Sequence, residues 1–333
     1  MMDLSICIPV YNVEPYLKRC LDSLFFQNLK GTFEVICVDD ASTDNSLSIL
    51  KNYQLKEPRL KIIELAERKK LSVVRSVGIH AALGRYVMLV DSDDWLQQGS
   101  LDSLLQKCIE IDADIVVYDY VVQDSSGNKV AHKPFGNEGF VSGNKSSVQK
   151  IFNGGSFCKI AKRNLLSNLL FNDTSINWGE DFLYNTEILL KAETIYLFPF
   201  AFYVYCTNHS SITFSIKKNE NEMLEDRITS VDATVAILGK YSASDKLKLS
   251  LLNYHIYKFL VLLLRVDCKN CEINDKVELL TDCMRKLPLM TEYKYKMLCF
   301  CVKYPLYTLT YMGLFFDFRL SFDVFYKKYL KNE

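Results

Sequence analysis

Apolar residues in the first third of the chain fall in short runs separated by stretches of helical spacing. Leu4-Ser5-Ile6-Cys7-Ile8 is too short an apolar run for a helix and predicts a strand. From Glu14 to Phe26, Leu17, Leu21 and Leu24 share one helical face. Phe33-Glu34-Val35-Ile36-Cys37-Val38 predicts a second strand. Leu47, Leu50 and Tyr53 then lie on one side of a helix for which Asp44 is the predicted cap. Leu60-Lys61-Ile62-Ile63 predicts a third strand, and residues 71–83 a helix with Gly84 as its C-cap. Tyr86 to Val90 predicts a fourth strand. Strands alternating with helices at this spacing imply right-handed crossovers and a mostly parallel sheet.

Further on, Gly99-Ser100 opens a helix with Leu101, Leu104, Leu105 and Cys108 inward. Residues 113–122, rich in Val, Ile and Tyr, predict another strand, and 123–156 turn to Ser, Gly, Asn and Lys, the composition of loops. Residues 180–191 predict a helix with Phe182, Leu183, Thr186, Leu189 and Leu190 on one face. Tyr196 to Tyr205 predicts a strand interrupted by Pro199. Past residue 216 the pattern changes to long helices, 222–241 and 246–266, and the stretch from Tyr293 to Tyr329 is crowded with aromatic and basic residues. The expected organisation is an α/β domain over 1–215 and a helical C-terminal region over 216–333. No stretch of about 18 residues is free of charge, so no spanning helix is predicted. The C-terminal aromatics read either as packing residues or as an interfacial membrane contact.

Composition narrows the class. Of 333 residues, 49% are hydrophobic and 24% charged, the balance of a globular chain. A formal net charge of zero lacks the basic surplus of nucleic-acid binders, so no nucleic-acid partner is expected. The eleven cysteines are odd in number and dispersed; Cys7 and Cys37 sit in apolar strands as small hydrophobes. Cys268-x-x-Cys271 and Cys299-x-Cys301 lack a His partner or a matching second pair, so they read as buried thiols rather than metal ligands. The sequence enters a strand directly, without a signal-like segment, and a reducing, cytosolic setting is the expectation.

Candidate chemistry follows from the sheet. In an open parallel sheet, ligands bind beyond the carboxyl ends of the strands. Those ends carry Pro9-Val10-Tyr11-Asn12, Asp39-Asp40-Ala41-Ser42 and Asp91-Ser92-Asp93. The edge is acidic, with one aromatic ring. Crowded carboxylates repel unless a cation arrives, and Mg²⁺ or Mn²⁺ bridges carboxylate to phosphate. A nucleotide diphosphate with its metal is the expected occupant. Plainer readings stand beside these: Asp94 as a cap, Asp40 and Asp44 as turn residues, Trp95 as a packing anchor, and Arg68-Lys69-Lys70 as a solvated turn.

Ile-Pro-Val-Tyr-Asn (8–12), Val-Asp-Asp-Ala-Ser-Thr-Asp (38–44), Arg75 with Gly78-Ile79, and Asp-Ser-Asp-Asp-Trp-Leu (91–96) occur in order, and together they resemble family 2 glycosyltransferases. The resemblance is strong over 4–125 and weaker to 213. It implies an inverting enzyme of the GT-A fold, a nucleotide-sugar-binding α/β architecture. It implies that Tyr11 stacks on the base and Asp39 hydrogen-bonds it, with Pro9, Asn12, Arg68 and Ser92 also in the nucleotide-sugar site. Arg75 would face the diphosphate, Asp91 the ribose or metal, and Asp93 the metal. Trp178-Gly179-Glu180-Asp181 is similar to the family's Glu-Asp pair before a helix. Asp181 would be the catalytic base, with Glu180 its rival. Tyr203-Val204-Tyr205 with Ser211-Ile212-Thr213 is similar to the segment that closes over the donor. The implied partners are a nucleotide-sugar donor and a glycan or lipid-linked glycan acceptor, at the cytoplasmic membrane face.

Two departures stand out. Arg68-Lys69-Lys70 replaces the family's Asn-Gly-Gly, which means either extra phosphate contacts or a different loop. After the tyrosines, Cys206 and Asn208 take the places of the usual Arg and His, and His209 becomes a metal ligand if the loop register shifts. Two rivals remain open. A nucleotidyltransferase would carry a Gly-rich signature after the first strand, which residues 9–15 lack; a non-catalytic sugar-nucleotide module would not need Asp93 and Asp181.

Overall fold

The structure, a computed structural model, describes residues 2–27, 29–124, 126–141, 155–207, 220–244, 247–248, 251 and 255. His209, most of the expected helix over 246–266, the later cysteine pairs and the aromatic C-terminal stretch lie outside the described residues. The chain divides into two units, Met1–Leu251 and Leu252–Glu333. Every element named below belongs to the first, including the helix after residue 216.

Ten strands and six α-helices carry the described fold: β1 (Leu4–Val10), α1 (Glu14–Phe25), β2 (Phe33–Asp39), α2 (Ser46–Gln54), β3 (Leu60–Glu64), α3 (Leu71–Ala81), β4 (Tyr86–Leu89), β5 (Trp95–Leu96), α4 (Ser100–Ile111), β6 (Ile115–Gln123), β7 (Lys129–Lys133), β8 (Gly139–Phe140), β9 (Lys159–Lys162), α5 (Glu180–Lys191), β10 (Ile195–Cys206) and α6 (Glu220–Lys240). The sheet runs β3-β2-β1-β4-β9-β6-β10-β5, with β7 beside β6 and β8 beside β10. Its first four strands are parallel. All seven residues of β2 are buried, as expected of a strand covered on both faces, and this is why it reads as one apolar run. Each fully buried Leu, Ile or Val there contributes roughly 1.5–3 kcal/mol.

Register brings the functional edge together. Val10 pairs with Asp39 and Asp39 with Glu64, so β1, β2 and β3 end level. Cys7 pairs with Leu89, which carries the chain after β4 to the same edge.

The mostly parallel sheet is interrupted in one place. β9 runs antiparallel between β4 and β6, just past the predicted loop, in a stretch where the sequence pattern predicts no element. Its sequence, Lys-Ile-Ala-Lys, hides the strand because Lys159 is buried; its ammonium donates to Gly155 O at 2.8 Å. β7 and β8 emerge from within the predicted loop itself. β10 shifts register on β6 between Phe198 and Tyr203, around Pro199, which has no N–H for the ladder.

Two cap expectations change. α3 ends at Ala81 with Ala82 in an extended conformation, so Gly84 is not its C-cap. A Cβ on Gly84 would stand 2.4 Å from Ser5 N; the glycine is there for close backbone approach. Asp44 serves two helices. Its Oδ1 accepts from Ser46 N at 2.9 Å, in the first turn of α2, and its Oδ2 accepts from Glu14 N at 3.0 Å at the start of α1.

Candidate active site

Arg75, on α3, joins the parts of the site. It is 5% exposed; its Nη2 donates to Asp91 Oδ1 at 2.6 Å and its Nη1 to Glu180 Oε1 at 2.5 Å. The sequence folds this way because the start of α3 is sewn to the segment before α5. Asn177 Oδ1 accepts from Leu71 N at 2.9 Å. The Ser72 hydroxyl donates to Thr174 O and accepts from Ile176 N, both at 2.9 Å. With these ties made, Glu180 stands over a guanidinium that lies 105 positions earlier in the chain.

Burial opposes the charge on Arg75, but Asp91 and Glu180 outweigh it and hold its pKa above the ordinary range. Burial pushes Glu180 up to about 7, against the pull of Arg75 and helped by repulsion from Asp181 and Asp91. One guanidinium shared between two carboxylates cannot offset both. Each Nη donates once to these carboxylates, and Arg75 also lines the cleft where the resemblance implied a diphosphate.

The Asp-Ser-Asp-Asp turn is held from beneath. Asp94 is fully buried, accepting from the Tyr203 hydroxyl at 2.6 Å and from Cys206 N at 2.7 Å. It is therefore an anchor for the end of β10 rather than a cap. Burial pushes its carboxyl well above the ordinary range, with repulsion from Asp93 and Asp91 added. The Tyr203 hydroxyl also accepts from Asp91 N at 3.0 Å. Phe157 stacks on the Tyr203 ring at 4.5 Å. Trp95 packs against Val121, Val204 and Cys206, the anchor role its sequence suggests.

A cleft of about 780 Å³ opens above these groups, and among its lining residues are Pro9, Tyr11, Asn12, Asp40, Arg68, Arg75, Asp91, Ser92, Asp93, Glu180 and Asp181. Ten of the twelve sequence candidates therefore meet in one cavity; Asp39 does not line it, and His209 lies outside the described residues. Asp39 is 2% exposed and its Oδ2 accepts from Ser42 N at 3.2 Å, so it closes the turn after β2. Its neighbour Asp40 reaches the cleft, accepting from Lys69 N at 2.6 Å. The alternation of side chains along β2 separates the two aspartates, and that alternation is the signal that could have chosen between them. Asn12 adopts a left-handed φ of 50°, and its Oδ1 accepts from Thr43 N at 2.8 Å. It braces the loop before α2 as well as lining the cleft. The Arg68 guanidinium lies 4.1 Å over the Tyr11 ring.

A divalent cation fits the donor set at the turn. Asp91 and Asp93 both line the cleft, and Asp91 commits only Oδ1 to Arg75. No group of three His, Cys, Asp or Glu side chains suited to a metal occurs among the described residues. One or two carboxylates suit a cation that takes its other ligands from phosphate and water.

The basic loop divides its three charges. Lys69 pairs with Glu67, and Lys70 Nζ meets Asp226 Oδ1 at 2.6 Å and Glu222 Oε1 at 3.4 Å on α6. Asp226 is 2% exposed, and its other oxygen accepts from Asn177 N at 2.6 Å and Trp178 N at 3.2 Å. Sequence reasoning missed Asp40, Asp226 and the cleft-lining Arg227; the last two lie on a helix without a motif.

The comparisons agree in direction. Residues 5–170 match the family model described as glycosyl transferase family 2. The chain is 31% identical over 221 residues to the glycosyltransferase GlyA of Streptococcus pneumoniae, covering 63% of this chain and 31% of that protein. It is 31% identical over 240 residues to the poly(ribitol-phosphate) beta-glucosyltransferase of Bacillus spizizenii, covering 70% of this chain and 37% of that one. The chain thus spans about a third of the length of these relatives. The crystal structure of residues 1–349 of S. aureus TarS, in complex with UDP-GlcNAc, superposes with a TM-score of 0.69 at 23% identity, covering 86% of this chain and 82% of that one. The shared fold is the GT-A arrangement expected from the sequence.

Proposed function

This chain belongs to glycosyl transferase family 2, matched over residues 5–170, and on that premise we propose that it is an inverting glycosyltransferase using a nucleoside diphosphate sugar. The observation that carries the proposal is Arg75 bridging Asp91 and Glu180, which unites the Asp-Ser-Asp turn and the Glu-Asp pair at one cleft. A UDP-sugar is the donor we favour, because TarS, whose fold this chain shares, was crystallised with UDP-GlcNAc. The transferred group would be a hexosyl or N-acetylhexosaminyl unit. The acceptor would be a hydroxyl of a glycan, lipid-linked glycan or polyol-phosphate polymer, the last suggested by the poly(ribitol-phosphate) relative. No helix among the described residues is long and apolar enough to cross a membrane. We place the reaction in the cytoplasm, at the inner membrane face.

In this reading Asp181 is the base. Glu180 is held by Arg75, whereas Asp181 lines the cleft and is partly exposed. Asp181 takes the proton from the acceptor hydroxyl. The acceptor oxygen forms a bond to the anomeric carbon as the bond from that carbon to the diphosphate breaks, inverting the centre. Asp93 and Asp91 would hold Mn²⁺ or Mg²⁺, which would offset charge on the departing diphosphate. Tyr11 and Asp40 would flank the base.

The test uses three variants of the full chain. Asp93→Ala should abolish metal-dependent transfer with the fold intact; undiminished turnover refutes the metal role. Asp181→Asn should keep nucleotide binding and lose transfer by roughly 10²–10⁴-fold. If Glu180→Gln is the inactive variant and Asp181→Asn is not, the two carboxylates exchange roles.

A further inference from the structure

The cations of the cleft are unequally committed. Arg75 is taken by Asp91 and Glu180, Lys69 by Glu67, and Arg68 lies over Tyr11. Arg227, on α6, lines the cleft beside Glu180 and Asp181. It has no hydrogen bond or ion pair among the described residues, and its Nε is buried without a partner.

The surroundings of Arg227 are built to present it. The preceding residue, Asp226, fixes this turn of α6 by accepting from Asn177 N and Trp178 N and by pairing with Lys70. Gly179 has a left-handed φ of 93°, and a Cβ there would stand 3.0 Å from Arg227 Nη1 and 2.7 Å from Ser230 Oγ. The glycine thus leaves the space that the guanidinium uses. A guanidinium fixed at a cavity wall with a desolvated, unpaired donor costs free energy until an anion meets it. Its planar fork matches phosphate oxygens two at a time.

We propose that Arg227 is a phosphate-binding side chain of this cleft. The site deepens the glycosyltransferase reading and rests on it for the source of the phosphate, which is either the donor diphosphate or a phosphate of the acceptor. Arg227 lies beyond the stretch matched to the family model, so no motif within that stretch assigns it.

Binding of UDP, uridine, pyrophosphate and ribitol phosphate to the full chain decides the matter, with melting temperature recorded for each variant. Arg227→Ala should weaken UDP and pyrophosphate roughly 10–100-fold and leave uridine unchanged if the donor supplies the phosphate. Loss of ribitol phosphate binding alone assigns the acceptor. Arg227→Lys, which keeps charge but not the fork, should fall between, and it carries the comparison if Arg227→Ala does not fold. Unchanged affinity for every phosphate in a folded variant overturns the inference, and so does an equal loss for uridine and UDP. A wild-type chain that binds pyrophosphate but none of UDP, GDP and dTDP contradicts the glycosyltransferase reading and leaves Arg227 testable with pyrophosphate. A wild-type chain that binds no phosphate probe overturns both.

Discussion

The hydroxyl of Tyr203 donates to Asp94 Oδ2 at 2.6 Å and accepts from Asp91 N at 3.0 Å. It fixes the turn that holds Asp91 and Asp93 without touching the cleft chemistry itself. Tyr203→Phe should therefore cost about 1–3 kcal/mol in urea unfolding, because a buried carboxylate and an amide both lose a partner. A change within the noise of that measurement would contradict the bridge. Glu180 makes a second residue-scale prediction. Its folded pKa of about 7 lies above the ordinary 4.5, so the stabilisation from its neutral form is full below about 4.5 and is lost as pH rises through about 7. Wild type should lose stability relative to Glu180→Gln across that window. A relative gain would mean that Arg75 outweighs burial. Single residues were also where the sequence was hardest to read. Asp39, Asp40 and Asp94 are identical as letters; strand alternation sends Asp40 into the cleft, and burial turns Asp94 into an anchor.

Elements were more legible, and the reasons for success and failure are physical. β1, β2 and β4 are buried on both faces and announce themselves as apolar runs; β3, at the sheet edge, is only partly buried, and β9 buries a lysine and leaves no strand pattern. α6 was legible as a helix but not as part of the site, because Asp226 acts through backbone N–H groups that leave no motif. Asp226→Asn should loosen the segment before α5. Sugar transfer should fall about tenfold or more while affinity for uridine, which carries no phosphate, stays within about threefold. A parallel loss of uridine binding would instead mean general unfolding of the cleft. Gly84→Ala tests the edge of the sheet: with a Cβ 2.4 Å from Ser5 N, the variant should yield little folded protein.

At the scale of the whole molecule, the site draws on two stretches of chain. The family match covers 5–170, which supplies Tyr11, Asp40, Arg75, Asp91 and Asp93. Glu180, Asp181, Tyr203, Asp226 and Arg227 come from beyond it. Net charge of zero conceals this arrangement, since the acids of the strand ends and of the Glu180-Asp181 pair face the cations of the basic loop, Arg75 and Arg227 across one cleft. The six described cysteines are all free and buried, the state Cys7 and Cys37 suggested in the sequence. The most direct test of the central claim is release of UDP from a panel of UDP-sugars by the full chain with Mn²⁺, wild type beside Asp181→Asn. The account predicts release from at least one sugar by wild type, with the variant binding UDP equally well and releasing none. Release by the variant at the wild-type rate, or no binding and no release by wild type across UDP-, GDP- and dTDP-sugars, would contradict it.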